Sequence, residues 1–559
     1  MTGRRFFLNL VTGWQFLPTF LCLALLISCD SSSPDPVPEP EPEPEEPVNP
    51  EPPVIPQDTV YVDLASHSDA TYFLPAPPTS EDRNFVDDEL QWEWGKTQRA
   101  TARGELALLR MGRTPAPVRL MMAGALGLDV ISDEATPALS RLLTRAYWTG
   151  YQSTADIKAK YLRERPFVEM GEPAWYAPDQ NDATGSYASA TTAAGWAACL
   201  VFAEMWPPMQ DAILRLGFLF GEDRVISGSN YQSDVNAGYL CGSAAIALAH
   251  NNIALEEDLA AAREEYKHLK GLSDDADDFN DVEDPIGINI LNPPVVNSVS
   301  DYRFYGDVAR YEHAKSLRGT IQGMQAVQDI NAYSDNMTKI FGEVLLIEAS
   351  EETTPAIFAL IQKIRPRSVS VINQVKKLYF RNRPFVELDD PTPVPEVEED
   401  YRYESSYPSG HSCFAWSVAL VLAEAVPERS RQILRRAYEF GYNRQIAGFH
   451  WATDIDAARL LACSLIAHMH TDVDFHDLIP ALEPVFLSGR VLVRLIDDDI
   501  SILVRLVDDR SDAAIGLGDH HLEVLVILFW NIDCVRVQGS KHGVDSGSLD
   551  PVHGKRVNI

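Results

Sequence analysis

Apolar residues recur every three to four positions through two long stretches of the chain, about 59–265 and 301–485. Segments 193–206 and 235–249 are the clearest cases. Strict alternation is rare in both stretches, and the breaks fall at Pro and Gly. The pattern predicts helices throughout, in two successive bundles. Residues 30–57 are mostly Pro, Glu, Asp and Ser, a composition that cannot bury a core and favours an extended stalk. Residues 273–284 are acidic but lack the central Gly and ligand order of a calcium loop, so 266–300 is expected to be a solvated linker between domains. In the tail, 486–559, Arg494-Leu495-Ile496-Asp497-Asp498 recurs as Arg505-Leu506-Val507-Asp508-Asp509, and the alternation suggests two short strands. The tail shows no recognisable chemistry.

The first residues break the helical pattern differently. Arg4 and Arg5 precede an apolar run that ends in Leu26-Ile27-Ser28-Cys29. A small residue followed by Cys at this place resembles the lipobox of bacterial lipoproteins. That resemblance implies a signal peptide over 1–28, a lipidated Cys29 and a linker over 29–58. It would tether the protein to a membrane in the cell envelope, outside the cytoplasm, as a periplasmic or outer-membrane lipoprotein. An uncleaved signal anchor is the competing reading. Elsewhere no run reaches the ~18–20 apolar residues of a membrane span.

With 45% apolar residues, each half can bury a core. The net charge of −34 argues against nucleic acid as a partner. Beyond Cys22 and Cys29, the five cysteines (Cys199, Cys241, Cys413, Cys463, Cys534) form no C-x2-C pair, so neither a zinc site nor a disulfide framework is indicated.

Candidate chemistry lies in a pattern that occurs twice. The second copy reads Lys376-x6-Arg383-Pro384, Pro408-Ser409-Gly410-His411 and Arg444-x5-His450-x3-Asp454. The first reads Lys158-x6-Arg165-Pro166, Ala188-Ser189-Ala190-Thr191 and Arg224-x5-Asn230-x3-Asp234. The offset is 218 residues at the first motif and 220 at the other two, as expected of a tandem duplication. Lys376, Arg383 and Arg444 supply three positive charges suited to a phosphoryl group. Ser409 and Gly410 open an apolar helical run, where backbone N–H groups favour an oxyanion. His411 and His450 offer a proton donor and a nucleophile. If the stretch is helical, Asp454 shares a face with His450 and orients its imidazole.

These motifs resemble the class A nonspecific acid phosphatases of bacteria, within the phosphatidic acid phosphatase type 2 and vanadium haloperoxidase superfamily. Flanking residues strengthen the likeness: Ser406-Tyr407 before the second motif, Leu420-Val421-Leu422-Ala423-Glu424, and Asp454-Ile455-Asp456-Ala457-Ala458-Arg459. In the first copy Leu200-Val201-Phe202-Ala203-Glu204 corresponds. The resemblance implies an all-α fold of two tandem helix-bundle domains, degenerate over 59–265 and catalytic over 301–485; whether the two halves pack as a pseudo-dimer is left open by the sequence. It implies a metal-independent phosphomonoesterase that acts on small phosphate esters without a cofactor. His450 would form a phosphohistidine, His411 would serve as acid and then base, and Asp454 would orient His450. Lys376, Arg383, Ser409, Gly410 and Arg444 would hold the phosphoryl oxygens. Asn443 stands where the family has Ser. In the first copy Thr191 and Asn230 remove both histidines, and Lys158, Arg165, Arg224 and Asp234 are expected to satisfy one another structurally.

The nearest competing function is a vanadium-dependent haloperoxidase, in which the same residues hold vanadate. A multi-spanning lipid phosphatase and a phosphate-binding surface protein are weaker alternatives.

Overall fold

The computed structural model of the chain describes residues 59–62, 69–176, 185–273, 301–330, 334–347 and 349–476, scattered positions from 276 to 294 and from 478 to 482, and the backbone of four strands within 495–539. The expected leader, Cys29 and the 29–58 linker lie outside the described residues.

In the first half the helices are α1 (Phe85–Gln98), α2 (Ala102–Leu109), α3 (Ala116–Leu126), α4 (Pro137–Gln152), α5 (Ala155–Tyr161), α6 (Pro166–Glu169), α7 (Ala190–Met205), α8 (Gln210–Ser227), α9 (Gln232–Ala249) and α10 (Ile253–Lys270). In the second they are α11 (Tyr302–Ser316), α12 (Ile321–Asp329), α13 (Ser334–Leu345), α14 (Pro355–Leu378), α15 (Pro384–Glu387), α16 (Glu398–Tyr401), α17 (Gly410–Ala425), α18 (Ser430–Ile446), α19 (Ala452–Met469) and α20 (Val473–His476). The order repeats: α4 answers α14, α6 answers α15, and α7–α9 answer α17–α19.

Local chemistry explains the boundaries. Pro137, Pro166, Pro355 and Pro384 start helices, where a missing N–H costs nothing. Ser189 and Ser409 cap α7 and α17 through their side-chain oxygens. Gly228 and Gly448 follow α8 and α18 in the left-handed region, at φ 76° and 84°. A Cβ on Gly448 would lie 2.6 Å from the Arg318 guanidinium, so the turn that delivers His450 has no room for one.

Each half is built around one apolar helix. Every residue of α7 is buried, and α17 is buried from Ser412 to Glu424. Helices α4, α8 and α9 surround α7, and α14, α18 and α19 surround α17. The halves also pack on each other, through α1 on α11, α9 on α17 and α7 on α19. A single hydrophobic core contains side chains of both, and Pro50–Ile559 forms one compact unit.

The acidic segment between the halves departs from the solvated linker expected of it. Phe279 is buried edge-on to Trp206, with ring centroids 5.4 Å apart, and Asp284 pairs with Arg367. The tail differs too, with four strands in place of two. These are β1 (Leu495–Asp497), β2 (Ile500–Val507), β3 (Leu522–Leu528) and β4 (Cys534–Gly539), antiparallel in that order. Among the described residues all other regular structure is helical, as the resemblance implied. Among the described residues no helix is long and apolar enough to cross a membrane. Cys199, Cys241, Cys413 and Cys463 are free and buried.

Candidate active site

Three segments of the second half meet at the expected motifs. They are the end of α14 with the extended residues after it, the stretch before α17, and the turn between α18 and α19. Backbone hydrogen bonds fasten them: Ser406 N–H donates to Arg381 O at 2.9 Å, and Ser409 N–H to Asp454 O at 3.0 Å. The loop that carries His450 is closed by the Phe449 and His450 N–H groups, which both donate to Arg444 O.

His450 is 2% exposed. Its Nδ1 lies 2.9 Å from the Ser406 carbonyl, which has only lone pairs to offer, so Nδ1 carries the proton. Nε2 is then the basic nitrogen, and the Arg383 Nη1–H group points at it from 3.1 Å. Burial, then Arg383, Arg444 and Lys376, hold the His450 pKa well below its ordinary value. The imidazole is therefore neutral, with a lone pair directed among cations. His411, half-buried in the first turn of α17, is also held well below its ordinary value, by burial and then by Arg444 and His450.

The cations are fixed by carbonyl oxygens. Lys376 Nζ donates to Ser405 O at 2.8 Å, and burial, then Arg383, lowers its pKa to about 8. Arg383 donates to Phe449 O and Tyr401 O and stacks on the Tyr401 ring at 4.8 Å. Arg444 lies over Phe449 at 5.2 Å. His450, His411, Lys376, Arg383 and Arg444 thus lie in one neighbourhood with the Ser409–Gly410 helix start.

Asp454 is placed differently from the helical i, i+4 expectation. Helix α19 begins at Ala452, so His450 precedes it and Asp454 occupies its first turn. One Asp454 oxygen accepts the Trp451 N–H at 2.8 Å and lies 3.4 Å from His450 Nδ1. The other accepts from Arg381 at 2.7 Å. The first acceptor for His450 Nδ1–H is thus Ser406 O, and Asp454 supports it from slightly farther away.

Arg381 was missed by the sequence reading. It bridges Asp454 and Asp307 of α11, at 2.7 and 2.6 Å, and lies over Trp451 at 5.0 Å. Burial disfavours its charge, but the two carboxylates outweigh burial and raise its pKa. A signal existed: Arg163 holds the same place before Arg165-Pro166 and bridges Asp88 and Asp234 at 2.7 Å each. Asn443, the departure from the family pattern, donates to Asp329 at 2.7 Å and ties α18 to α12.

The equivalent place in the first half is a cavity of about 300 Å³ lined by Lys158, Arg165, Thr191, Arg224 and Asn230 among others. Asn230 Nδ2 donates to Ser186 O at 2.8 Å, copying the His450–Ser406 bond. The expectation that Lys158, Arg165, Arg224 and Asp234 neutralise one another is corrected here. Asp234 is engaged by Arg163, while Lys158 donates to Gly185 O and Arg224 to Arg110 O.

Residues 358–476, which carry the whole site, match the PAP2 superfamily. The chain is 35% identical over 184 residues to a nonspecific acid phosphatase of Providencia stuartii, covering 33% of this chain and 73% of that protein. The chain belongs to the nonspecific acid phosphatase family. A second family member, from Salmonella typhi, is 34% identical over 182 residues, or 32% of this chain and 72% of its own length. An acid phosphatase of Zymomonas mobilis is 31% identical over 169 residues, 30% of this chain and 64% of its own. In this acid phosphatase relative, therefore, the site described above sits in the family domain, and a second set of similar helices precedes it.

Proposed function

We propose that this phosphatase hydrolyses small phosphate monoesters through a phosphohistidine on His450. The reading rests chiefly on the His450 ring, with Nδ1–H on Ser406 O and Nε2 facing Arg383 at 3.1 Å. The phosphoryl group would lie among Lys376, Arg383 and Arg444, with the Gly410 N–H at the helix start on its oxygens. His450 Nε2 attacks phosphorus as the bond to the leaving oxygen breaks, and His411 donates the proton that oxygen needs. Water then gives its proton to His411 and displaces His450 from phosphorus. Inorganic phosphate leaves, and both imidazoles return to their starting forms. Three fixed cations supply the positive charge, so the reaction needs no metal.

The first half, with Thr191 and Asn230 in the histidine positions, would be a catalytically silent duplicate. Repeated helix order, the paired Arg163 and Arg381 bridges, and the matching Asn230 and His450 bonds support this. The basic start at Arg4 and Arg5 and the Ser28-Cys29 ending support a lipid anchor outside the cytoplasm.

Rapid quenching with a labelled phosphate ester should trap acid-labile label on the wild type, and His450→Ala should carry no label and turn over no substrate. Turnover retained in His450→Ala would refute the mechanism. Vanadate should inhibit, and halide oxidation in its presence would support a peroxidase instead. Cys29→Ser should move the protein from the membrane to the soluble fraction, and unchanged membrane association would remove the anchor.

A further inference from the structure

We propose that the chain binds one structural zinc-class divalent ion where its two halves meet, held by His250, His470 and Glu424 with Glu204 completing the set. The four residues end four helices. Glu204 and Glu424 lie in the last turns of α7 and α17, and His250 and His470 are the residues that follow α9 and α19. Helix C-termini carry partial negative charge, so this junction favours a cation before any side chain is counted.

The side chains are deeply buried, with 6% and 7% exposure for His250 and Glu204 and 2% and 6% for His470 and Glu424. The imidazoles stack, with centroids 3.8 Å apart and planes within 6°. His250 Nε2 lies 3.3 Å from Glu204 Oε2, and His470 Nε2 lies 3.2 Å from Glu424 Oε2. A tetrahedral zinc ion with N and O ligands at about 2.0–2.1 Å separates neighbouring ligand atoms by about 3.3 Å. Both His–Glu separations already match that edge. Ligand atoms of His250, Glu424 and His470 lie within 4.8 Å of one another, so closure on an ion takes shifts of about 1 Å or so.

Polar atoms here are unsatisfied. Oε2 of Glu204 and of Glu424, and both ring nitrogens of His470, make no hydrogen bond, and three apolar side chains (Leu200, Leu420 and Ile466) help line the adjoining cavity of about 20 Å³. Carboxylate oxygens that meet only an imidazole contact in such surroundings are costly, and a dication between the two carboxylates and the two imidazoles offsets their charge. Protons alone would do this less well. Protonating both stacked rings would set two positive charges face to face. Arg263 donates to the carbonyls of Glu204 and Met205 at the end of one of these helices. Two nitrogens and two carboxylates select zinc or cobalt over magnesium or calcium, which prefer all-oxygen sites. The ion would be remote from the reaction: His470 lies sixteen residues beyond Asp454, about 24 Å along α19.

The test uses the full chain without a polyhistidine tag, dialysed against chelator and titrated with Zn²⁺ or Co²⁺. About one equivalent should bind, Co²⁺ should give the visible bands of a tetrahedral N/O site, and Zn²⁺ should raise the melting temperature. His470→Gln and the milder Glu424→Gln should each lose the bands and the melting shift. His450→Ala should keep both. Zinc-depleted protein should still turn over substrate below its melting temperature, which separates this ion from the catalytic reading. No stoichiometric binding by the wild type would overturn the proposal. So would binding that survives both His470→Gln and Glu424→Gln, or is lost in His450→Ala.

Discussion

The proposed mechanism needs a neutral His450 and a His411 that carries a proton, opposite demands on pH whose compromise their surroundings set. Both pKa values lie well below the ordinary histidine value of about 6.5. His450 therefore stays neutral and nucleophilic into acid. His411 in the free enzyme loses its proton as pH rises through its lowered pKa, so kcat/KM should fall from the acid side upward. A second fall is expected as Lys376 loses its charge near its pKa of about 8. A profile flat from about pH 5 to pH 8 would remove His411 as the acid. The Asp454 geometry gives a second expectation. Where a carboxylate alone fixes a catalytic tautomer, its loss costs ~10⁴ in rate. Here Ser406 O is the nearer acceptor, so Asp454→Asn should cost clearly less, measured as kcat on a phosphate ester. Its larger effect should be on stability, because Arg381 loses a buried charge partner, a change worth about 3–5 kcal/mol. Sequence motifs pointed to the groups of the proposed site because a phosphate ligand has a narrow chemical requirement. Arg381 and Asp307 were hidden because their partners are contributed by distant helices, a relation that no spacing along the chain records.

Helix ends, more than helix interiors, decide what the site can do. The Ser409 cap was legible because Ser before an apolar run is a known start signal. The start of α19 was not, because Trp451 is an unusual residue for that position. That one-turn error turned Asp454 from a first-turn residue into a helical neighbour of His450. Gly410 is the informative position for a substitution. Its φ lies outside the left-handed region, and an added Cβ would meet only Ile372, at an ordinary 3.6 Å. Gly410→Ala should therefore melt within a degree or two of wild type, since the helix propensity gained is about 1 kcal/mol at most. Under the proposed mechanism its kcat/KM should nonetheless drop, because a methyl group beside the Gly410 N–H hinders close approach of an oxyanion. A variant with unchanged kcat/KM would show that this helix start does not touch substrate.

Across the whole molecule the striped helices predicted two bundles, and the structure joins them through one core. Periodicity reports that a face is buried but not what buries it, so the α9–α17 and α7–α19 contacts could not be read from the pattern. Residues 301–485 expressed alone would expose the apolar faces of α17 and α19 that the first half covers. That fragment should aggregate or self-associate on size exclusion, and co-expression with residues 59–270 should restore a soluble, active pair. A monomeric fragment with the melting temperature of the full chain would contradict this.

That shared core has a genetic consequence. In an ordinary homodimer every substitution arrives twice, so no site can change without its twin changing too. Two bundles on one polypeptide are free of that rule. If the halves arose by the proposed duplication, Asn230 and Thr191 could replace histidines while His450 and His411 stayed, and the first half could not then be discarded, because the second rests its apolar faces on it.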